Sequence, residues 1–490
     1  APLRGAKGDN GPTRERPNLI TVLFRMSDTQ PLVVILAVGL TRKLLDRGER
    51  LKRLSNRGWT RSLREALPAV TCTAQATLLT GELPNRHGVV GNGWLYRDTQ
   101  EVRFWQQSNS LIQSEPVYTT AKREASAGNR PFKAAKLFWQ FNQGADVEIS
   151  VTPKPYYGAD GSKAFGVYGT PPGLTESLER TLGPFPFPSF WGPTAGLSST
   201  TWIARCAAEV LTAERPDLTL VYLPHLDYDP QRFGPTEADM PRLVKQLDAA
   251  CEPLLDAAER VEARVWVVSE YGLVDVRRPV EINRRLRREG LLTVRPGPFG
   301  EIFDTFGSRA FAVCDHQLAH IYVANPQDVP RVRDVVASEP GVGRVFAGEE
   351  RAEIGLDHPR SGEIVALSQP DAWFAYPFWL EDAGEPDFAR TIDIHRKPGY
   401  DPCELFFDPN LTWPKGRAAR RLLQKKLGFR TLFDIVPVDP SLVKGSHGLP
   451  ATDDADRPIL IGDGPEPDGP TEGLPMTSVR DLVLRAVLPE

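Results

Sequence analysis

The run Leu32–Leu40, LVVILAVGL, is the longest apolar stretch in the chain and the feature that most restricts the fold. Its nine residues are half of what a helix needs to cross a bilayer. It therefore reads as a strand buried on both faces, the kind found in parallel sheets covered by helices. The text that follows repeats the logic. Leu40, Leu44, Leu51 and Leu54 fall on one face of a helix that Gly58 can end. Ile203, Ala207, Val210 and Leu211 keep the i, i+4, i+7, i+8 spacing, Pro216 stops that helix, and Leu218–Leu223 (LTLVYL) reads as the next strand. Leu243, Leu247, Cys251 and Leu254 form another stripe ahead of the strand Val265–Val268. This alternation predicts an α/β fold with a central, mainly parallel sheet sandwiched by helices. Ligands in such folds sit beyond the carboxyl ends of the strands.

Composition narrows the partners. With 41% apolar and 25% charged residues the chain is neither disordered nor collagen-like nor a membrane bundle. Its 59 basic and 63 acidic residues leave no excess positive charge to neutralise a phosphate backbone, so no nucleic-acid polymer is expected, and no membrane either. Cys72, Cys206, Cys251, Cys314 and Cys403 are odd in number and form no CxxC pair. That argues against a disulfide framework and a cysteine zinc site, and for a reducing, cytoplasmic setting.

Residues 1–30, polar and with the first methionine only at Met26, are expected to stand outside the fold as a disordered or non-native extension. The main domain is expected over 31–460. Within it, 94–193 turns to aromatics, Pro and Gly and reads as an inserted cap. The strand-like pieces Phe311–Val313, His320–Val323 and Glu363–Leu367 predict a smaller α+β part over about 293–440. The Pro/Gly/acid-rich stretch Asp463–Pro475 predicts that 461–490 is a linker and tail ending in a short helix. The basic runs Arg284–Arg288 and Arg417–Lys426 read as solvated helix faces, with Leu286, Leu422, Leu423 and Leu427 turned inward.

The most informative segment is Pro68–Trp94, PAVTCTAQATLLTGELPNRHGVVGNGW. Thr71 stands just ahead of a helical piece, Ala74–Leu79, where free backbone N–H groups and the helix dipole favour a phosphoryl oxygen. A plain helix cap by Thr71 or Thr73 fits the same letters. Asn92, in Gly91-Asn92-Gly93, is either an amide donor to phosphate or an Asn-Gly turn. His87, in its His-Gly pair, reads as a buried structural histidine.

TxxxxxxxxTG followed by LPxxHGVVGN resembles the nucleophile segment of the alkaline phosphatase superfamily, closest to its nucleotide pyrophosphatase/phosphodiesterase branch. The resemblance extends from about Leu32 to His447. It implies an alkaline-phosphatase-like fold that hydrolyses or transfers at a phosphodiester or pyrophosphate bond of a phosphorylated small molecule. Thr71 would be the nucleophile, forming a covalent phosphothreonine, with Asn92 holding the phosphoryl oxygens.

The resemblance also implies a divalent metal, zinc in the family, in one or two sites. Asp227 in YLPHLDYDPQRFGP matches a carboxylate ligand, but Gln231 stands where the family has histidine. Ser269-Glu270-Tyr271-Gly272 replaces an Asp-His pair, and Val38-Gly39-Leu40 lacks the acid that ends the first strand. His447, in Lys444–Gly448, matches the last ligand. Asp227, Glu270 and His447 are thus the candidate metal ligands, for one remodelled ion rather than two. Without an ion, Tyr271 or His225 would have to serve as base, and slowly, since an unperturbed phenol is protonated at neutral pH. Asp315-His316 with His320, Asp357-His358, and Asp393-His395 with Asp401 are further pairs able to bind metal. Two alternatives stay open: a pseudoenzyme that binds a phosphorylated ligand, and transfer to an acceptor alcohol. Oligomeric state is not legible.

Overall fold

The computed structural model describes residues 30–159, 163–429 and 431–488. The expectation for the N-terminal extension therefore falls outside the described residues, Gln30 excepted. At the centre lies β1 (Leu32–Ala37), with every residue buried. Strands β2 (Trp59–Arg64), β3 (Gly93–Tyr96), β4 (Glu101–Phe104), β5 (Ala134–Leu137), β6 (Ile149–Tyr157), β7 (Lys163–Thr170), β8 (Leu218–Leu223) and β9 (Arg264–Val268) follow in the chain. The large sheet has nine strands in the order Leu474–Pro475, β2, Ile459–Gly462, β9, β1, β8, β5, β6, β7. The five from β9 to β6 are mutually parallel, with Leu32 opposite both Leu218 and Arg264. Helices Leu197–Glu214 and Met240–Arg260 pack against it with their apolar stripes in the core. The α/β architecture is the expected one.

Several boundaries differ from the sequence reading. The predicted helix over Leu40–Leu54 is two pieces, a 3-10 turn at Arg42–Arg47 and an α-helix at Glu49–Arg57. The break has a cause: Asp248, from a neighbouring helix, accepts from Arg50 N (3.0 Å) and Leu51 N (2.9 Å) and starts the second piece as an external cap. The aromatic region 94–193 is not a separate cap. It supplies β5, β6 and β7, which extend the main sheet beyond β8. The stretch 461–490 is not a free linker and tail either. Ile459–Gly462 pairs with β2 and β9, and helix Val479–Val487 buries Val479, Leu482, Val483 and Val487 in the main core.

The late α+β part is a four-stranded antiparallel sheet, Ala310–Asp315, Leu318–Val323, Ile364–Ser368 and Val342–Ala347, with its own apolar cluster. All five cysteines are free and buried. No helix among the described residues is long and apolar enough to cross a membrane.

Candidate active site

Three parallel strands end side by side, and the polar residues that follow them meet there. After β8 the chain enters helix His225–Phe233, which carries Asp227 and Gln231. After β9 come Glu270 and Tyr271, both fully buried. Helix Thr71–Thr80 begins at the same place with Thr71 as its first residue. Its cap residue is Val70, so neither Thr71 nor Thr73 caps it: Thr73 Oγ1 donates to Val89 O (3.1 Å). Asn92 does the capping from outside, its Oδ1 accepting from Cys72 N at 2.9 Å. Thr71 Oγ1 is left to face Tyr271 Oη at 3.1 Å.

Asn92 is itself held by Asp315, whose Oδ2 accepts from Asn92 N (2.6 Å) and whose Oδ1 accepts from Asn92 Nδ2 (3.0 Å). Flanking glycines make this possible. A Cβ on Gly91 would lie 2.9 Å from Asp315 Oδ2, and one on Gly93 2.3 Å from the Phe104 ring. Asp315 comes from the smaller sheet, at the tip of the hairpin joining Ala310–Asp315 to Leu318–Val323. In that two-residue turn His316 takes a left-handed φ of 58°.

From Thr71 the hydrogen bonds continue. Tyr271 Oη donates to Asp227 Oδ1 (3.3 Å), Gln231 Nε2 donates to Asp227 Oδ2 (2.9 Å), and Tyr400 Oη donates to Gln231 Oε1 (2.8 Å). Gln75 Nε2 donates to Glu270 Oε1 (2.7 Å). A column of rings stands alongside: Tyr271 on His447 (centroids 3.6 Å apart), His447 on His316 (3.7 Å), His316 on Tyr400 (3.8 Å). His447 Nδ1 donates to Ala69 O at 2.8 Å, because a carbonyl can only accept. Its Nε2 is then unprotonated and lies 3.8 Å from Asp227 Oδ1.

Burial governs the charges. It raises the Asp227 carboxyl to about 7 against the pull of Gln231 and Tyr271, and Asp315 likewise to about 7 against Asn92. It pushes Glu270 well above the carboxylate range. It lowers His447 to about 3 and His316 well below the imidazole range, and raises the Tyr271 phenol. The site is thus an assembly of mostly neutral polar groups, and Thr71 is only 4% exposed.

The structure brings Thr71, Asn92, Asp227, Glu270 and His447 into one neighbourhood. It does not arrange the last three as a ligand set. Among the described residues no group of three or more His, Cys, Asp or Glu side chains is placed to hold a metal ion. Gln231 and Tyr271 instead saturate Asp227 with hydrogen bonds. At the end of β1 the position of the missing acid is held by Val38, fully buried in the main apolar core. Within this site Glu270 Oε2 is a buried oxygen with no well-aligned hydrogen-bond partner, although Thr71 and Tyr271 lie close enough to favour the ionised carboxyl. A lone oxygen is too little for a cation, and Asp227, Glu270 and His447 are not placed to hold the one remodelled ion expected of them.

The other Asp/His pairs are spoken for. His320 Nε2 bonds Val90 O, His358 Nε2 bonds Gln113 Oε1, His395 Nδ1 bonds Phe104 O, and His225 Nε2 bonds Gln246 Oε1. His87, fully buried between Thr77 Oγ1 and Val89 N, has a packing role. Gln75 and Tyr400, which belong to the site, carry no sequence signal. Asp315 and His316 were legible only as a metal pair.

The family model for Type I phosphodiesterase / nucleotide pyrophosphatase matches residues 32–401, three quarters of the chain. The chain belongs to that family. Phosphodiesterases and nucleotide pyrophosphatases of this kind hydrolyse phosphoester bonds. The ectonucleotide pyrophosphatase/phosphodiesterase 1 of Saccharomyces cerevisiae is 24% identical over 229 residues, which cover 43% of this chain and 28% of that protein. The chain thus spans less than a third of the length of the curated relatives it matches. Murine ectonucleotide pyrophosphatase/phosphodiesterase 5 shares the fold at a TM-score of 0.55 and 14% identity, covering 94% of this chain and 97% of that one; an inactive variant of it has been solved with AMP. Phosphonoacetate hydrolase from Sinorhizobium meliloti, solved with phosphonoformate, superposes at a TM-score of 0.58 and 14% identity over 94% and 96% of the two chains. At these identities the phosphodiesterase/pyrophosphatase structures speak for the fold alone.

Proposed function

We propose that this chain cleaves a phosphodiester or pyrophosphate bond of a phosphorylated small molecule, with Thr71 as nucleophile and with a proton path in place of a metal centre. The observation that carries the reading is the unbroken line Thr71 Oγ1, Tyr271 Oη, Asp227 Oδ1. As Thr71 Oγ bonds to phosphorus and the bond to the leaving oxygen breaks, the threonine proton moves to Tyr271 while the phenol's own proton moves to Asp227. The phenol begins and ends neutral, as its burial demands. Water then opens the phosphothreonine, and the proton returns along the same line to Thr71. Asn92 has one Nδ2–H engaged by Asp315 and a second free for a phosphoryl oxygen, beside the N–H groups that open the helix. The free thiols suit a reducing, cytoplasmic setting.

A second reading has its own support: the chain binds a phosphorylated ligand without cleaving it. Asp227, Gln231, Tyr271 and Tyr400 satisfy one another, and Thr71 is buried. One experiment separates the two. Wild type, Thr71→Ala and Tyr271→Phe are assayed on chromogenic phosphate mono- and diesters, with chelator and with added Zn, Mn or Mg, while AMP binding is followed by calorimetry. Cleavage is expected to survive chelation, to vanish in Thr71→Ala, and to fall about 100-fold to 10,000-fold in Tyr271→Phe, the usual loss when acid–base help is removed. A wild type that binds AMP but turns over no ester with any metal would establish the second reading.

A further inference from the structure

Between Asp408 and Asp434 the sequence holds seven Lys and Arg and no Asp or Glu, in a chain whose net charge is −4. The structure makes this segment odder still. Helix Pro414–Lys426 lies the opposite way round from the sequence expectation. Its charged stripe faces the protein: Arg421 Nε donates to Asp434 Oδ1 at 3.1 Å, Arg417 pairs with the same carboxylate, and Ala418 packs on the cluster containing Ile435 and Val436. Its leucines face out. Leu422 and Leu423 are each 57% exposed and Leu427 65%, with Phe429 just beyond and Trp413 at the start of the helix 76% exposed. Lys415, Arg420 and Lys426 are exposed on the same helix.

An outward face that mixes Leu, Phe and Trp with exposed cations, whose long stems let their charged ends reach past the apolar groups, has the make-up of a segment that lies in a lipid headgroup layer. We propose that this segment docks the protein reversibly onto an anionic lipid surface, apolar side chains entering the acyl boundary and the exposed cations meeting the headgroups. Charge selects the occupant. A second copy of the chain would set these cations against their own kind, whereas an anionic bilayer complements them. At thirteen residues the helix is too short to span, so the contact is peripheral. This departs from the composition-based expectation of no membrane partner, which averaged a local charge excess over the whole chain.

The test is sedimentation of the full chain with phosphatidylcholine vesicles, with and without phosphatidylserine. Binding is expected only with phosphatidylserine and is expected to weaken as salt rises. Leu422→Ser with Leu423→Ser should abolish it. Lys415→Gln, Arg420→Gln and Lys426→Gln should each weaken it about fivefold, and together about a hundredfold. All five side chains are exposed, so near-UV circular dichroism should show unchanged folding. Absence of binding to phosphatidylserine vesicles, or equal binding to the neutral ones, overturns the proposal. So does salt-insensitive self-association, seen by analytical ultracentrifugation, that the leucine pair removes.

Discussion

A phenol between a threonine and an aspartate changes how the threonine can lose its proton. Tyr271 is neutral under ordinary conditions, so in the proposed mechanism the sink is Asp227, whose ionisation would set the pH dependence. Asp227 must be unprotonated to accept, and burial places its pKa at about 7. We therefore expect kcat/KM on a diester to rise with pH through about 7 and level off above it. Asp227→Asn should remove both the rise and the activity. A profile flat from pH 5.5 to 8.5, on the order of 1.5 units either side of that pKa, would show that Asp227 is not the acceptor. Gln231 matters to the same balance, since its amide donates to Asp227 while accepting from Tyr400.

The segment that delivers Tyr400 is fixed from beneath by a buried cation. Lys397 Nζ lies 2.7 Å from both Asp401 Oδ2 and Glu404 Oε1 and donates to Thr391 O at 2.8 Å. Glu404 also accepts from Trp191 Nε1 at 2.6 Å. Breaking such a cluster from one side strands charge in the interior. Lys397→Met should lower unfolding free energy by about 3–5 kcal/mol in urea titrations. It should also reduce turnover through the loosened Tyr400.

How much of each element could be read beforehand follows from the same physics. β1 and β8 were plain because strands buried on both faces are unbroken apolar runs. β5 and β6 were hidden, since Lys136 sits within one and Pro153 and Pro155 within the other. Periodicity also found the stripe of Leu422, Leu423 and Leu427 but assigned it the wrong side. Spacing defines a face, and groups outside the helix, Asp434 and the apolar cluster of Ile435 and Val436, decide which face turns inward.

For the molecule as a whole, the last described helix is structural. Val479, Leu482, Val483 and Val487 are buried in the main core, each worth about 1.5–3 kcal/mol. Their sum rivals the 5–15 kcal/mol of a typical domain. Ending the chain after Pro475 should therefore yield protein without a cooperative thermal transition in calorimetry. At this scale the residues proposed for the chemistry were partly legible. Thr71, Asn92, Asp227, Glu270 and His447 do come together at the strand ends. Gln231 and Tyr271 were legible as departures from the family's ligands, whereas the parts of Tyr400, Asp315 and His316 emerge only once the second sheet is folded against the first.

The bond from His447 Nδ1 to Ala69 O joins positions 378 apart in the chain. The sheet also waits for Ile459–Gly462 to fill the gap between β2 and β9. During synthesis, then, the segment that carries Thr71 emerges from the ribosome long before the partners that would enclose it. These contacts can form only when nearly all of the described sequence has been translated.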